Sequence, residues 1–305
     1  MRILLITFTG TGNTLLCGNY IQKEFESFNH EVIHYIYKKN TRFAYNLDDF
    51  DMIGVGYPIH AFNIAKPFYK FLKTLKKANK KIPLFIYKVS GEPFPMNNSS
   101  SCKPLRLLKR KNLHLIAEKH FLMPYNIMFR YKDELAKQMY LYLEPLCKVF
   151  VKGILENNPE HIKHGVGSHI CSFLFRIEWI AAFVNKPLLH IKKKKCTRCM
   201  MCVNNCPTNS LYINKKEKIR VKTSCALCMR CCYNCPKDAI NMGILNHWVV
   251  NGPFKYQQLV EDPSIKDNYV NKNTKGYFKF FKKYFKRQDE LLLKNNMKIP
   301  VNYDA

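Results

Sequence analysis

Eight cysteines repeat one spacing twice, and that spacing suits iron–sulfur chemistry. The first copy reads Cys-x2-Cys-x2-Cys-x3-Cys-Pro and ends at Pro207, and the second copy ends at Pro236. Three thiolates in a tight loop hold three irons of a [4Fe–4S] cube, and the fourth, before the proline, ligates the other cube. The expected ligand sets are Cys196, Cys199, Cys202 and Cys235 for one cluster, and Cys225, Cys228, Cys231 and Cys206 for the other.

Two other chemistries also use closely spaced cysteines. A zinc ion is held by four sulfurs in a tetrahedron. A zinc site would therefore not require the third cysteine and the Cys-Pro pair in each copy. A disulfide framework suits short secreted domains, and this chain has 305 residues with no leader-like start. Cys232 is spare and is interpreted as a bystander, and Cys17 and Cys102 are interpreted as inert thiols.

The two copies also continue alike after their Cys-Pro pairs, with Thr208 to Leu211 in the first and Lys237 to Ile240 in the second. On these motifs, residues 188–243 resemble a bacterial two-cluster ferredoxin. The resemblance implies a small α+β fold with pseudo-twofold symmetry, in which the clusters lie close enough to exchange electrons.

A short loop near the start of the chain has the composition of a phosphate-binding loop. It lies between an apolar strand, Arg2 to Phe8, and a predicted helix, Leu15 to Phe28. Small residues let backbone amides approach a ligand, and the helix N-terminus supplies positive potential. The loop lacks the endings of nucleoside triphosphate and dinucleotide sites, which favours a phosphate monoester. The candidate residues are Thr9, Gly10, Thr11, Gly12, Asn13 and Thr14.

This loop resembles the FMN-phosphate loop of the flavodoxin family at its usual place after the first strand. Further strands are expected at Glu31 to Tyr37, Asp51 to Tyr57 (broken by Pro58), Ile82 to Val89 and Glu118 to Met123, with helices starting near Pro67 and at Asp133. This alternation predicts an α/β fold with a doubly wound parallel sheet, beside the small α+β ferredoxin domain. The resemblance implies flavodoxin-like strand order 2-1-3-4-5 and bound FMN at the carboxyl edge.

Loops after the third and fourth strands are the expected partners of the flavin ring, as the resemblance implies. The candidates are Tyr57, Pro58, His60 and Phe62 in one loop and Ser90, Gly91 and Phe94 in the other. Tyr57, Phe62 and Phe94 are the candidates for ring contact, although each aromatic side chain could equally cap the sheet. His60 is interpreted either as a flavin-tuning group or as an ordinary polar residue.

The remaining chain divides at shifts in composition. The expected division is a flavodoxin-like domain at 1–157, a helical linker at 158–186, a ferredoxin-type domain at 187–243 with motifs at 187–216 and 217–243, and a C-terminal extension at 244–305. Within the linker, an apolar stripe on residues 170–184 is expected to pack between the domains, with contact to a membrane surface as the alternative. Residues 276–293 form a predicted basic amphipathic helix that either packs on its own protein or makes peripheral membrane contact.

The chain is strongly basic, with a formal net charge of +28. Such a charge attracts acidic redox proteins, although a simple compositional bias towards lysine would also produce it. No nucleic-acid-reading motif accompanies the charge. Thirteen cysteines without a leader favour a reducing, cytoplasmic location.

Taken together, the chain resembles flavodoxin–ferredoxin fusion proteins. The expected function is electron transfer between FMN and two [4Fe–4S] clusters, with no catalytic acid, base or nucleophile assigned. Two alternatives remain open: a flavin-dependent reductase of a small substrate that uses the clusters as a wire, and a cluster-only protein with a degenerate docking domain.

Overall fold

The computed structural model describes residues 1–303, apart from the side chain of Ala182, and its N-terminal half is built on one twisted sheet. The strands are β1 (Arg2–Thr7), β2 (Glu31–Ile36), β3 (Met52–His60), β4 (Asn63–Ile64), β5 (Ile82–Ser90) and β6 (Leu113–Leu122). Five of them are parallel, in the order β2-β1-β3-β5-β6, and β4 forms a short hairpin with β3. This is the flavodoxin-like order, so the predicted fold class is confirmed.

Alternating side chains of β1 explain the two layers that cover the sheet. Ile3 and Leu5 join the core on one face, and Leu4 and Ile6 join the core on the other. A strand with apolar residues on both faces must be covered twice, because either face would otherwise meet water. The covering helices are α1 (Asn13–Ser27) and α4 (Asp133–Leu155) on the first face, and α2 (Lys66–Thr74) and α3 (Cys102–Lys109) on the second.

Three local expectations were wrong. Pro58 does not end β3, because the strand stays in register with β5 through Pro58 and turns back only after His60. Strand β6 starts at Leu113, five residues earlier than expected, and α3 was not predicted. In each case, pairing with a buried neighbour strand or layer decides the structure, and the local sequence pattern does not show it.

The cysteine-rich module contains two matching halves. Strands β7 (Leu189–Ile191) and β10 (Ile240–Met242) pair, as do β8 (Leu211–Ile213) and β9 (Ile219–Val221). Short helices α7 (Met201–Asn204) and α8 (Arg230–Tyr233) each follow a methionine in left-handed conformation, Met200 (φ 59°) and Met229 (φ 57°). Equivalent left-handed residues recur at Arg198 and Leu227 and at Asn209 and Asp238. The pseudo-twofold symmetry implied by the ferredoxin resemblance is therefore present in the backbone.

The segment between the two modules departs from expectation. It forms α5 (Val166–Leu174) and α6 (Glu178–Asn185), joined by a 3-10 turn at Phe175–Ile177. The apolar stripe that was expected to pack between the domains is exposed instead: Phe173 is 64% exposed, Ile177 71% and Ile180 54%.

The C-terminal extension returns to the first domain. After a 3-10 helix at Gly243–Trp248, α9 (Tyr256–Glu261) and α10 (Lys279–Lys294) pack against α4. The apolar face of α10 is buried, with Phe281, Phe285 and Leu292 at most 1% exposed. The helix predicted at residues 276–293 therefore packs on its own protein through this face, while Phe280 and Leu293 remain exposed.

Candidate functional site

A cavity of about 490 Å³ lies at the carboxyl edge of the parallel sheet. This volume is in the usual range for cofactor pockets, ~300–1,000 Å³. The sequence-predicted residues that line it are Thr9, Gly10, Thr11, Asn13, Thr14, Pro58, His60, Phe62, Ser90 and Gly91. Ten of the thirteen predicted flavin-site residues are thus brought to one place, as the rule for ligand sites in doubly wound sheets leads one to expect.

The loop before α1 has the geometry of an anion cradle. Gly12, with φ of 116°, turns the chain into α1, whose first turn has neither an acidic residue nor a side-chain cap. The first amides of this helix therefore keep their hydrogen-bonding capacity for a ligand, and the helix dipole favours negative charge there. The Gly12 amide donates to Thr9 Oγ1 (3.0 Å), and the Asn126 side chain donates to Thr11 Oγ1 (3.2 Å). These bonds hold the cradle open without a lysine, which fits the phosphate of FMN.

The loop after β3 is held in a tight turn. Ala61 and Phe62 have positive φ values of 38° and 61°. The Asn63 side chain stabilises the turn by donating to the carbonyls of Ala61 (3.0 Å) and Ser172 (2.9 Å). The Phe62 ring meets Phe175 of the linker at 5.0 Å between centroids, so the linker forms one wall of the cavity.

Several lining residues were missed from the sequence. They are Glu92, Met123 to Met128, Phe175, Glu178, Ala181, Leu227, Cys228, Leu245 and Trp248, among others. The group at 123–128 follows the last parallel strand, so its position at the carboxyl edge was a usable signal. The Tyr125 ring lies over Gly91, where an added methyl group would come within 2.3 Å of the ring. Only glycine fits at position 91 with Tyr125 in place.

Three predicted residues do not line the cavity. Tyr57 is fully buried in the core beneath the sheet edge. Phe94 points away and packs edge-on against Tyr277 and Phe280, next to α10. Gly12 shapes the loop through its backbone and does not reach the cavity wall. Of the three aromatic candidates for ring contact, only Phe62 lines the cavity. Tyr125 and Trp248 also line it and are further candidates.

Two carboxyl groups in the cavity wall have pKa values that are raised close to neutral pH. Burial raises the pKa of Glu178 to about 7 and that of Glu92 to about 7, although a hydrogen bond from Tyr277 lowers the latter in part. Burial also lowers the pKa of His60 to about 4. His60 Nδ1 lies 4.0 Å from Glu178 Oε1. At neutral pH, this part of the wall can therefore hold or release a proton at Glu178 while His60 stays neutral.

The first expected set of iron ligands surrounds one small pocket. Cys196, Cys199, Cys202 and Cys235 all line it, together with Cys231. Burial, followed by the neighbouring thiols, raises the pKa of Cys202 to about 11. Iron binding at these positions must therefore displace protons.

The cysteines of the second expected set of iron ligands are also neighbours of one another. The thiols of Cys206, Cys228 and Cys231 are the electrostatic neighbours of Cys225, and burial together with these neighbours raises its pKa. Burial raises the pKa of Cys228 to about 12. Cys232 is 1% exposed and packs in an apolar cluster with Met229, and its role as a bystander stays a prediction.

Backbone amides bond to equivalent sulfurs in the two cysteine sets. The Ser210 amide donates to Cys206 Sγ (3.2 Å), and the Ala239 amide, at the equivalent place, donates to Cys235 Sγ (3.3 Å). Such bonds tune cluster potentials. Within residues 1–303, no group of three or more His, Cys, Asp or Glu side chains is placed to hold a single metal ion.

The flavin-type cavity and the second cysteine set share a wall. Cys228 and Leu227 line the cavity directly. A methyl group added to Gly10 would lie 3.1 Å from Cys228 Cβ and 3.1 Å from its carbonyl oxygen. The Asn126 amide also donates to that carbonyl (3.2 Å), so one side chain holds both the phosphate cradle and the cysteine loop.

A buried ionic cluster lies outside the cavity. Lys88 Nζ is 2.8 Å from Glu118 Oε1, and His164 Nε2 is 3.2 Å from Glu118 Oε2. Burial opposes ionisation of Glu118, but Lys88 and His164 outweigh it and lower its pKa to about 2. Cys102 Sγ lies 3.4 Å from His164 Nδ1, so this thiol has a polar partner that the sequence pattern did not show.

Comparison with known proteins agrees with the cysteine pattern. Residues 189–212 match the 4Fe-4S binding domain family. This stretch of the chain holds the first cysteine motif and is similar to that family. Together with the flavodoxin-like strand order, the match supports electron transfer in general. A comparison with curated protein sequences gave no match.

Among solved structures, the chain is similar to several flavodoxins at low identity. A Streptococcus pneumoniae TIGR4 flavodoxin is 14% identical, covering 40% of this chain and 84% of that chain, with a TM-score of 0.33. A flavodoxin from the domain Archaea is 13% identical, covering 52% of this chain and 99% of that chain, with a TM-score of 0.37. A short-chain flavodoxin associated with a non-canonical PDU bacterial microcompartment is 16% identical, with the same coverage and TM-score.

Proposed function

We propose that this protein transfers electrons between an FMN held in the carboxyl-edge cavity and two [4Fe–4S] clusters held by the eight paired cysteines. The observation that carries the proposal is the shared wall, in which Cys228 lines the same cavity as the phosphate cradle. Flavin exchanges two electrons together or singly, whereas each cube passes one, so the pair connects two-electron and one-electron partners.

The chain's own residues perform three tasks in this proposal. The amides after Gly12 and the hydroxyls of Thr9 and Thr11 hold the phosphate. Tyr125 and the linker residue Phe175 enclose the ring-binding end of the cavity and exclude water. Glu178 holds a proton at the cavity wall near neutral pH, which offsets charge added to the cavity.

The two cysteine sets differ in exposure, and this difference separates a cluster on the flavin side from a cluster on the partner side. Cys228, of the second set, lies at the cavity, whereas Cys199, of the first set, is exposed at the surface. Arg198 and Lys195 beside it are more than half exposed. An acidic protein carrier would therefore dock beside the first cluster, guided by these positive charges.

Anaerobic purification with iron, sulfide and flavin analysis tests the proposal. We expect about eight irons and about one FMN per chain, the content of two cubes beside one flavin. Four irons would rule out the second cluster, and eight irons without flavin, even after incubation with FMN, would leave only the cluster module active.

Two buried cysteines, one from each motif, supply a matched test of the ligand assignment. Cys206 and Cys232 are both buried, at 8% and 1% exposure, but only Cys206 belongs to a ligand set. We expect Cys206→Ala to lose iron and Cys232→Ala to retain it. Equal iron contents in the two variants would contradict the assignment.

Flavin-to-cluster transfer is tested by reducing the flavin rapidly and following cluster bleaching in the same chain. Clusters that stay oxidised while the flavin is reduced would contradict the proposal, provided that both groups are present.

A further inference from the structure

The linker helices present an apolar surface to solvent. Eight large side chains of α5, α6 and the turn between them are at least half exposed: Val166, Ile170, Phe173, Leu174, Ile177, Ile180, Phe183 and Val184. Monomeric soluble proteins rarely expose a continuous apolar patch of this kind, and such patches mark interaction sites.

Polar side chains of the same helices face inward, which is the reverse of an ordinary surface helix. Ser168 and Ser172 are buried, and their hydroxyls bond to Ser99 Oγ (2.5 Å) and Asn63 Oδ1 (3.0 Å). The buried Asn185 side chain donates to the Met242 carbonyl (2.6 Å). Hydrogen bonds thus fix the helices with their apolar faces outward, and the orientation is part of the fold.

Positive charge borders this apolar face. No carboxylate occurs between Asp51 and Glu92 or between Glu92 and Glu118, the stretches that contain α2 and α3. Both helices lie beside the linker: Lys66 Nζ donates to the Trp179 carbonyl (2.9 Å), and Lys103 Nζ lies 4.4 Å from the Trp179 ring.

The linker helices carry one carboxylate, Glu178. It lies near His60 and lines both the flavin-type cavity and a second cavity at the edge of the apolar face, and its side chain is 24% exposed. Arg176 lies 5.5 Å from the centre of the Phe173 ring. The face is therefore apolar at its centre and bordered mainly by cationic residues.

We propose that α5 and α6 dock the protein on the surface of an anionic phospholipid bilayer. The apolar side chains would lie at the boundary between headgroups and acyl chains, and the lysines of α2 and α3 would meet the lipid phosphates. A cavity of about 710 Å³ at the edge of this face combines both features, because Lys66 and Lys70 line it together with Ile180 and Phe183.

A bilayer fits this face better than a second copy of the chain. Two copies would bring their cationic rims together, which disfavours association, whereas anionic lipid complements the rim. By length and composition, Val166–Asn185 would suffice to cross a membrane. The segment is nevertheless divided by a 3-10 turn and hydrogen-bonded to the domain along its polar side, so it lies in the membrane plane.

Vesicle sedimentation with the full, cluster-loaded chain tests this proposal. We expect strong binding to vesicles of phosphatidylcholine mixed with phosphatidylglycerol, weak binding to phosphatidylcholine alone, and binding that falls as salt is raised. The variant Ile170→Ser, Phe173→Ser, Ile177→Ser should bind at least about tenfold more weakly, because each side chain contributes apolar burial.

The matched control changes apolar residues on α10 whose exposed fractions are similar to those of the three linker residues. Phe280→Ser with Leu293→Ser, at 59% and 57% exposure on α10, should bind vesicles as the native chain does. A second variant, Lys70→Glu with Lys73→Glu, should lose the preference for anionic vesicles with its apolar face unchanged. Iron content and circular dichroism report whether each variant is folded.

Two results would overturn the proposal. One is equal binding of the native chain and the triple variant, both folded, to anionic vesicles. The other is no vesicle binding together with a dimer that the triple variant abolishes, which would assign the face to a second copy. Either result would leave the proposed flavin-to-cluster transfer unaffected.

Discussion

Gly10 and Cys228 are in direct contact, although one belongs to the first strand–helix loop and the other to the second cysteine motif. An added Cβ at Gly10 would lie 3.1 Å from both the Cβ and the carbonyl oxygen of Cys228. The phosphate cradle and an expected cluster ligand therefore share one surface, and glycine at this position makes the close approach possible.

Substitution of Gly10 tests this contact. Gly10→Ala should lower the free energy of unfolding by ~1–3 kcal/mol, because the methyl group overpacks a close contact. It should also slow flavin-to-cluster transfer by moving the cysteine loop outward. Gly165→Ala is the control, since an added methyl group there meets nothing within 4 Å and its backbone is extended. Chemical unfolding measures both variants, and equal stability of the two would contradict the tight contact.

The pH dependence of FMN binding should report Glu178. Its pKa is raised by burial to about 7, so the side chain is mostly neutral below that pH and anionic above it. We expect FMN affinity to fall as pH rises from about 6 to about 8, by at most about tenfold for one such group. Glu178→Gln should bind FMN with a weaker pH dependence, as measured by quenching of flavin fluorescence.

The same ionisation affects stability with a definite sign. The folded-state pKa of Glu178 lies above the value of 4.5 for an unperturbed glutamate, so its contribution favours folding at low pH and is lost as pH rises towards 7. The stability of Glu178→Gln relative to the native chain should therefore increase over this range. Glu26→Gln, at an exposed position on α1, is the control. A native-like pH profile for Glu178→Gln would count against the assignment.

Loss of the buried ion pair between Lys88 and Glu118 should account for most of the stability that is lost when either residue is changed. Glu118→Gln leaves a buried lysine with reduced compensation, and we expect a loss of ~3–5 kcal/mol in unfolding free energy. Glu31→Gln breaks the Arg2–Glu31 pair, in which both side chains are largely exposed, and should cost ~0–1 kcal/mol. Urea unfolding compares them. Similar losses would mean that Lys88 and Glu118 are more hydrated than the structure shows.

Adjacent phenylalanines on α10 test how this helix is held. Phe281 is fully buried and Phe280 is 59% exposed. Phe281→Ala should lose ~3–5 kcal/mol of stability, the usual cost of a buried phenylalanine. Phe280→Ala should lose no more than ~1.5 kcal/mol, the value of its edge-on contact with Phe94. If Phe281→Ala were as stable as Phe280→Ala, α10 would not be anchored as described.

Sequence reasoning predicted best those features that depend only on residues close together in the chain. The glycine–threonine loop and the cysteine spacings are local devices, and the structure brings their members together. The doubly wound parallel sheet followed from the alternation of strands and helices, because that alternation leaves few topologies, and its strand order was implied by the flavodoxin resemblance. The individual ligand assignments of the cysteines remain predictions until iron is measured.

The failures concern side chains whose direction depends on tertiary packing. Tyr57 and Phe62 are five residues apart around one strand end, yet Tyr57 faces the core and Phe62 faces the cavity. Phe94 packs against α10, an element almost two hundred residues later in the chain. The outward stripe of the linker was missed because periodicity reveals an apolar face but not what covers it. Serine and asparagine hydrogen bonds, which fix that face outward, leave no periodic trace.

The walls of the cavity come from distant parts of the chain, and this has a consequence for biogenesis. Thr9 to Thr14 leave the ribosome early, whereas Leu227, Cys228 and Trp248 are made much later. Because N-terminal domains fold first during synthesis, the nascent sheet exposes an open-sided cradle until the cysteine-rich module docks on it. Under the proposed function, the cradle can therefore meet flavin before the cysteine-rich module that completes the cavity is in place.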